Sequence, residues 1–314
     1  MDKATPNSRY PSQAARDRLM AIYDAKLARW PVPFEELDVP TRYGRAHVVA
    51  AGAPDAPPLV LVHAAAFPAF MWGSLLAPLS ARYRTYALDT FGDLGKSALT
   101  DVNLRPKNGK DHSAWLTDVW DRLGLETPDV LAASMGGWVA MHHAASAPER
   151  VRRLALLVPM GLPSWLQTFV VLFKMATVAI RPSASKQNDF ISWVIGDDPV
   201  VRREVGDWLA AVLASGAKAR AGNPLPVPAA RLAAIRAPTL IVLGGKDHLV
   251  GNATRAARRA RAHFRDVQIE VVPDATHALP IQAADRVAGW LLPFFEPTRR
   301  AISAGPAGRF APAA

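Results

Sequence analysis

Ser134 of this 314-residue chain stands in Ala132-Ala133-Ser134-Met135-Gly136-Gly137, between the apolar run Asp129-Val130-Leu131 and the helical-looking stretch Trp138 to Ala145. A serine at a sharp turn from strand to helix is forced into a strained backbone conformation that lifts its hydroxyl clear of the sheet. The turn tolerates only small neighbours, which Ala132 and Gly136 supply. Serine alone is a poor nucleophile at neutral pH and needs a base that is itself oriented by an acid. Asp247 follows the apolar run Thr239 to Leu243 within Gly244-Gly245-Lys246-Asp247-His248, and His277 follows the run ending at Val272 within Pro273-Asp274-Ala275-Thr276-His277-Ala278. The three side chains thus leave the carboxyl ends of three expected strands in the order Ser, Asp, His.

Each has a plainer role to weigh. Asp247 alone reads equally as a loop carboxylate beside Lys246, and Asp274 is too near His277 in sequence to orient it from a separate strand. The strand ending at Val158 is followed by Pro159-Met160-Gly161, with no acid, so Asp247 is the choice by elimination. His142 and His143 fall on the helix after Ser134, packed or exposed, and His112 and His263 sit on helices away from strand ends. His47 lies on a strand face without chemistry. Acyl transfer also needs donors for the negative oxygen of a tetrahedral intermediate. The backbone N–H of Met135, next after the serine, is one, and the loop after Val62 offers another at Ala65. Gly95-Lys96-Ser97 hints at a phosphate loop but fails, because Thr90 stands where that pattern needs its first glycine.

Such side chains need a scaffold that brings strand ends to one edge. Leu59-Val60-Leu61-Val62 is an unbroken apolar run, the mark of a strand buried on both faces, and ends in His63-Ala64-Ala65-Ala66-Phe67-Pro68. Further runs at Arg84–Leu88, Asp129–Leu131, Val151–Val158, Thr239–Leu243 and Val267–Val272 alternate with helical sequence, including Asp111 to Leu123, Asn252 to Phe264 and Ile281 to Phe295. This predicts an α/β fold with a mostly parallel central sheet covered by helices on both faces. Glu36–Val39 and Arg45–Ala50 read as short strands joined through Tyr43-Gly44. From Met160 to Pro228 there is apolar helical sequence and no convincing strand run, as expected of a helical cap inserted between two strands. The expected organisation is a helical extension over 1–35, a core over 36–159 and 236–296, a cap insertion over 160–235, and a disordered tail over 297–314.

The combination resembles a cap-bearing α/β-hydrolase of the serine carboxylesterase kind. The matching segments are Leu59 to Ala64 with Trp72, Asp89 with Gly92 and Gly95, Ala132 to Gly137, Gly244 to Asp247, and Asp274 to His277. Two positions differ from the family pattern: His63-Ala64 stands for its His-Gly, and Ala132 for the first glycine of G-x-S-x-G. The resemblance implies Ser134 as nucleophile, His277 as base, Asp247 as acid, and the amides of Ala65 and Met135 as the oxyanion hole. It implies hydrolysis of a small, apolar carboxylic ester through an acyl-enzyme, with no metal and no organic cofactor. Serine in place of aspartate argues against the dehalogenase and epoxide hydrolase branches. Lactone opening, carbon–carbon bond hydrolysis, perhydrolysis, and a silent protein binding an apolar small molecule stay open. His63, Ala64, Phe67, Trp138, Trp165 and Phe169 are the expected pocket residues, although aromatics such as the last two also commonly pack a helix on a core.

Half of the residues are apolar and one fifth charged, enough for one large domain with an insertion. Cysteine is absent, which excludes disulfides and thiolate metal sites. The formal charge of +10 is largely arginine, densest at Arg255, Arg258, Arg259, Arg261 and Arg265. No recognition motif or stacking aromatic accompanies that run, so it reads as a solvated helix face and not a nucleic-acid surface. Trp165 to Ile180 is interrupted by Gln167 and Lys174 and is too short to span a bilayer, so no stable membrane insertion is expected. The start Met1-Asp2-Lys3 lacks a signal-peptide pattern, giving a cytoplasmic expectation. The oligomeric state is not legible.

Overall fold

The computed structural model describes residues 9–162, 165–180, 183–219 and 222–296. The expectation of a disordered tail at 297–314 lies outside these residues. Strands run over Phe34–Thr41 (β1), Gly44–Ala51 (β2), Pro58–Val62 (β3), Arg84–Leu88 (β4), Ala98–Leu99 (β5), Asp129–Ala133 (β6), Leu154–Leu157 (β7), Thr239–Gly244 (β8) and Val267–Val272 (β9). They form one sheet in the order β1-β2-β4-β3-β6-β7-β8-β9, with β5 beside β2. The hairpin β1–β2 and the pair β2–β4 are antiparallel; every pairing from β4 through β3 to β9 is parallel. In a parallel run all carboxyl ends open on one edge, which is how Ser134, Asp247 and His277 come to share a rim. Strands β6, β7 and β8 are buried throughout, the apolar residues that follow Asp129 in β6 and Thr239 in β8 requiring cover on both faces.

Helices cover the sheet: Gln13–Leu27 (α1), Gly73–Ser80 (α2), Gly109–Arg122 (α3), Met135–Ser146 (α4), Ala253–His263 (α9) and Ala284–Phe295 (α11). Side-chain oxygens of Ser12, Asn108 and Asn252 cap α1, α3 and α9, accepting from amides of the first turn. Helix α1 is part of the main core, because Leu19, Tyr23 and Leu27 are buried at their spacing of four. The last helix is broken: Leu279–Gln282 (α10) precedes α11, with Ala283 between them out of helical geometry. Nothing in the apolar pattern marks that break. Gln282 Oε1 there accepts the backbone N–H of Thr276, so the short helix braces the loop carrying His277.

Strands β7 and β8 are parallel neighbours, with Leu154 beside Thr239, yet the chain between them runs from 158 to 238. That insertion carries Trp165–Ile180 (α5), Ala184–Ile195 (α6), Pro199–Ser215 (α7) and Ala229–Ala234 (α8), and no strand among the described residues. Trp208 and Ala211 of α7 join the main core, while Ile191, Ile195, Val201 and Val205 form a smaller cluster with Ala278. Among the described residues no helix is long and apolar enough to cross a membrane.

Candidate active site

Strand β6 ends at Ala133, and Ser134 follows at φ 51° and ψ −115°, a left-handed geometry that ordinary side chains adopt only at a cost. Hydrogen bonds fix it there. Ser134 N–H donates to Leu157 O at 3.0 Å, and Ser134 O accepts from Met160 N–H at 2.9 Å. Helix α4 can start so close to β3 only because Gly136 lacks a Cβ, which would stand 2.1 Å from Val62 O.

Ser134 Oγ donates to His277 Nε2 at 2.7 Å, and His277 Nδ1–H donates to Asp247 Oδ2 at 2.8 Å. The other Asp247 oxygen accepts the N–H groups of Leu249 at 2.8 Å and Val250 at 3.1 Å, so this buried carboxylate is fully engaged and held in one orientation. Asp274 goes elsewhere: it is exposed, pairs with Lys246 at 2.8 Å, and that ammonium lowers its pKa. The histidine loop is also tied to the insertion. His277 N–H donates to Val194 O at 3.3 Å and Thr276 Oγ to Ile195 O at 2.9 Å, both at the end of α6.

Across the site, the loop after β3 sorts its amides. Ala64 N–H donates to Met71 Sδ at 3.2 Å, Ala66 N–H to Asp93 Oδ1 at 2.8 Å, Phe67 N–H to Ala64 O at 3.1 Å and Ala69 N–H to Asp89 Oδ1 at 2.9 Å. The Ala65 N–H has no acceptor among the described residues, and neither has Met135 N–H in the first turn of α4. Ala64 is not at positive φ, so alanine fits without strain where the family pattern has glycine. His63 Nδ1–H donates to Ala64 O at 2.8 Å while Nε2 accepts Thr90 N–H at 2.9 Å. Because a trans peptide sets its C=O and N–H opposite each other, these bonds to Ala64 O aim the Ala65 N–H the other way. His63, expected in the pocket, is thus a buried brace whose two ring nitrogens are both occupied by backbone.

The remaining pocket candidates separate. Phe67 is half-buried against the cluster of Ile191 and Ile195. Trp138 is buried, its Nε1–H donating to Leu225 O at 3.0 Å in the segment by which the insertion returns to the sheet. Trp165 and Phe169 lie on α5 with 56% and 62% of their surface exposed, so the structure does not enclose them with the others.

His47 stands on strand β2 as expected, and there it is buried between two carboxylates, Nδ1 on Asp89 at 3.0 Å and Nε2 on Glu36 at 2.7 Å. Burial opposes its charge, but the hydrogen bonds to Asp89 and Glu36 outweigh it and raise the pKa. Burial works against the charge of Asp89, but the hydrogen bond with His47 outweighs it and lowers the pKa, and its other oxygen accepts the Ala69 N–H. A cleft of about 340 Å³ beside His47 is lined by Arg16, Met20, Glu36, Asp38, Arg45 and Lys96, and contains none of Ser134, Asp247 and His277. Among the described residues no three His, Asp or Glu side chains gather as a metal site. Of the arginine run, Arg255, Arg258 and Arg261 on α9 and Arg265 just beyond its end are exposed as expected; Arg259 is the exception, half-buried against backbone carbonyls.

A sequence profile of the alpha/beta hydrolase family matches residues 59–290. The uncharacterized carboxylesterase nap of Bacillus subtilis is 31% identical over 287 residues, covering 88% of this chain and 92% of that protein. Carboxylesterase YbfK of the same organism is 30% identical, covering 88% and 93%. The crystal structure of naproxen esterase from Bacillus subtilis superposes with a TM-score of 0.82 at 30% identity, over 91% of this chain and 99% of that one.

Proposed function

The chain belongs to the alpha/beta hydrolase family, and on that premise we propose that it hydrolyses carboxylic esters through an acyl-enzyme on Ser134. Ser134 Oγ attacks the ester carbonyl while His277 Nε2 takes its proton, and Asp247 holds the resulting imidazolium in place. The N–H groups of Met135 and Ala65 receive the negative oxygen. As the tetrahedral intermediate collapses, His277 returns the proton to the leaving alcohol. Water then attacks the acyl group as His277 takes its proton, and on collapse of the second tetrahedral intermediate His277 returns that proton to Ser134 Oγ and the carboxylic acid leaves.

The observation that carries this reading is the unbroken relay from Asp247 through His277 to Ser134, at 2.8 and 2.7 Å, on a serine held at φ 51°. A protein that merely binds a small molecule has no use for that strain or for two unsatisfied amides across from it. The relatives named as carboxylesterases support ester over lactone or carbon–carbon substrates. Phe67 beside the apolar cluster of the insertion favours a small, apolar substrate under a cap formed by 160–235.

The test is turnover of a series of short p-nitrophenyl esters together with labelling by a fluorophosphonate probe. Wild type should turn over and be labelled at Ser134, and Ser134→Ala should lose about 10⁴-fold or more in kcat and all labelling. Inactivity of the wild type across chain lengths overturns the reading.

A further inference from the structure

Residues Ala64 to Phe67 form a β-turn closed by the bond from Phe67 N–H to Ala64 O, and Ala66 occupies its third position at φ 62°. With Ala65 at negative φ this is a type II turn, whose third position ordinarily goes to glycine. An alanine there tends to relax toward a type I turn, in which the Ala65–Ala66 peptide turns over.

Two buried side chains oppose that relaxation. Asp93 accepts the Ala66 N–H at 2.8 Å, and Trp208 Nε1–H donates to Ala66 O at 2.6 Å. Asp93 is 1% exposed and Trp208 0%. If the peptide turned over, a carbonyl oxygen would face the Asp93 carboxylate. Trp208 is itself well anchored: its ring meets Phe70 edge-on at 5.0 Å, and α7 is tied to α1 where Lys26 Nζ bonds Glu204 O at 2.6 Å and Asp207 at 2.7 Å. Asp93 sits there at a cost, since its Oδ2 is buried without a partner and burial raises its pKa. Its Oδ1 is spent on the amides of Ala66 and Leu94.

We propose that Asp93, from the loop after β4, and Trp208, from the insertion, are positioning residues that tether Ala66 on both sides in its left-handed turn and so hold the turn in place, with the adjoining Ala65 N–H, which the bonds to Ala64 O orient, against the ester carbonyl oxygen. The insertion is then a working part of the oxyanion site and not only a wall over the substrate. This rests on the acyl-transfer reading above.

The experiment compares Trp208→Phe, which keeps a ring against Phe70 and deletes the N–H, with Asp93→Ala, Asp93→Asn and the pair Asp93→Ala/Ala66→Gly. Each is assayed for ester turnover, thermal stability and affinity for a trifluoromethyl ketone analogue of the substrate, whose hemiketal oxygen occupies the oxyanion site. Trp208→Phe should lower kcat about tenfold and Asp93→Ala about 10²-fold, with KM moving less than about threefold. Inhibitor affinity should fall in step with kcat/KM. Asp93→Asn, which still offers Ala66 an oxygen, should recover most of the loss, and Ala66→Gly, which removes the penalty at φ 62°, should recover part of it. Variants that lose thermal stability but keep wild-type kcat and inhibitor affinity overturn the clamp. A wild-type protein inactive on every ester overturns the acyl-transfer reading instead.

Discussion

Arg259 on α9 donates from Nη1 to the carbonyl oxygen of Gly161 at 3.0 Å. The same nitrogen reaches Leu162 O at 2.9 Å, and Nη2 reaches Val227 O at 2.6 Å. Gly161 and Leu162 lie where the chain leaves β7 for the insertion, and Val227 where it returns; Val227 N–H also donates to Gly161 O at 2.9 Å. One planar guanidinium therefore closes the base of a loop running from 158 to 238, using a fork that an ammonium cannot reproduce.

Arg259→Ala should cost about 2 kcal/mol, the scale of charged hydrogen bonds lost from a half-buried group. The insertion should become the first site of tryptic cleavage and be cut faster than in the wild type. Arg259→Lys should resemble the alanine variant. Unchanged proteolysis in both would show that the two ends of the insertion hold together without the arginine.

Gly136→Ala tests the close approach of α4 to β3. Glycine to alanine inside a helix ordinarily stabilises by about 0.5–1 kcal/mol. Here the new Cβ would lie 2.1 Å from Val62 O and 2.6 Å from His63 O, both backbone atoms that cannot swing aside. The sign should reverse, with a loss of about 3 kcal/mol or more in urea denaturation. A stability equal to or above wild type would contradict the packing.

Stability should fall in mild acid on account of His143. Its ring is buried edge-on to Trp120 at 4.2 Å, Nδ1 lies 3.2 Å from Ser113 O, and Nε2 has no partner. Burial therefore holds the pKa down at about 4, against 6.5 ordinarily. As pH drops between those values the unfolded chain takes up a proton that the folded chain refuses, so folding weakens there and the effect is flat on either side. The full difference is about 3 kcal/mol. His143→Gln should lose less stability than wild type between pH 7 and 4.5, by about 2 kcal/mol. Parallel stability profiles for the two proteins would refute it.

Much of the scaffold was legible because its signals are local. Leu59–Val62 and Thr239–Leu243 are apolar runs that only a doubly covered strand accommodates. Strand β5 is two residues long, too short for any periodicity, and the helix break at Ala283 leaves the apolar spacing intact. Neither could be found from pattern. The partners of His47 are hidden for a related reason: the sequence places it on β2, but Glu36 and Asp89 are brought to it by the antiparallel hairpin and by the end of β4.

By itself the sequence determined the alternation of the main strands and helices, the long insertion, and a serine, an aspartate and a histidine each just past a strand end. In a parallel sheet those ends open on one edge, so position along the chain already implies proximity in space. Only the tertiary structure decided which polar groups meet. Trp208 on Ala66 and Arg259 on Gly161 join residues 142 and 98 positions apart, and no periodicity encodes such a pairing. Local pattern specifies which face of an element is buried. It does not specify what stands opposite, which depends on how the whole chain closes its core and satisfies each polar group that it buries.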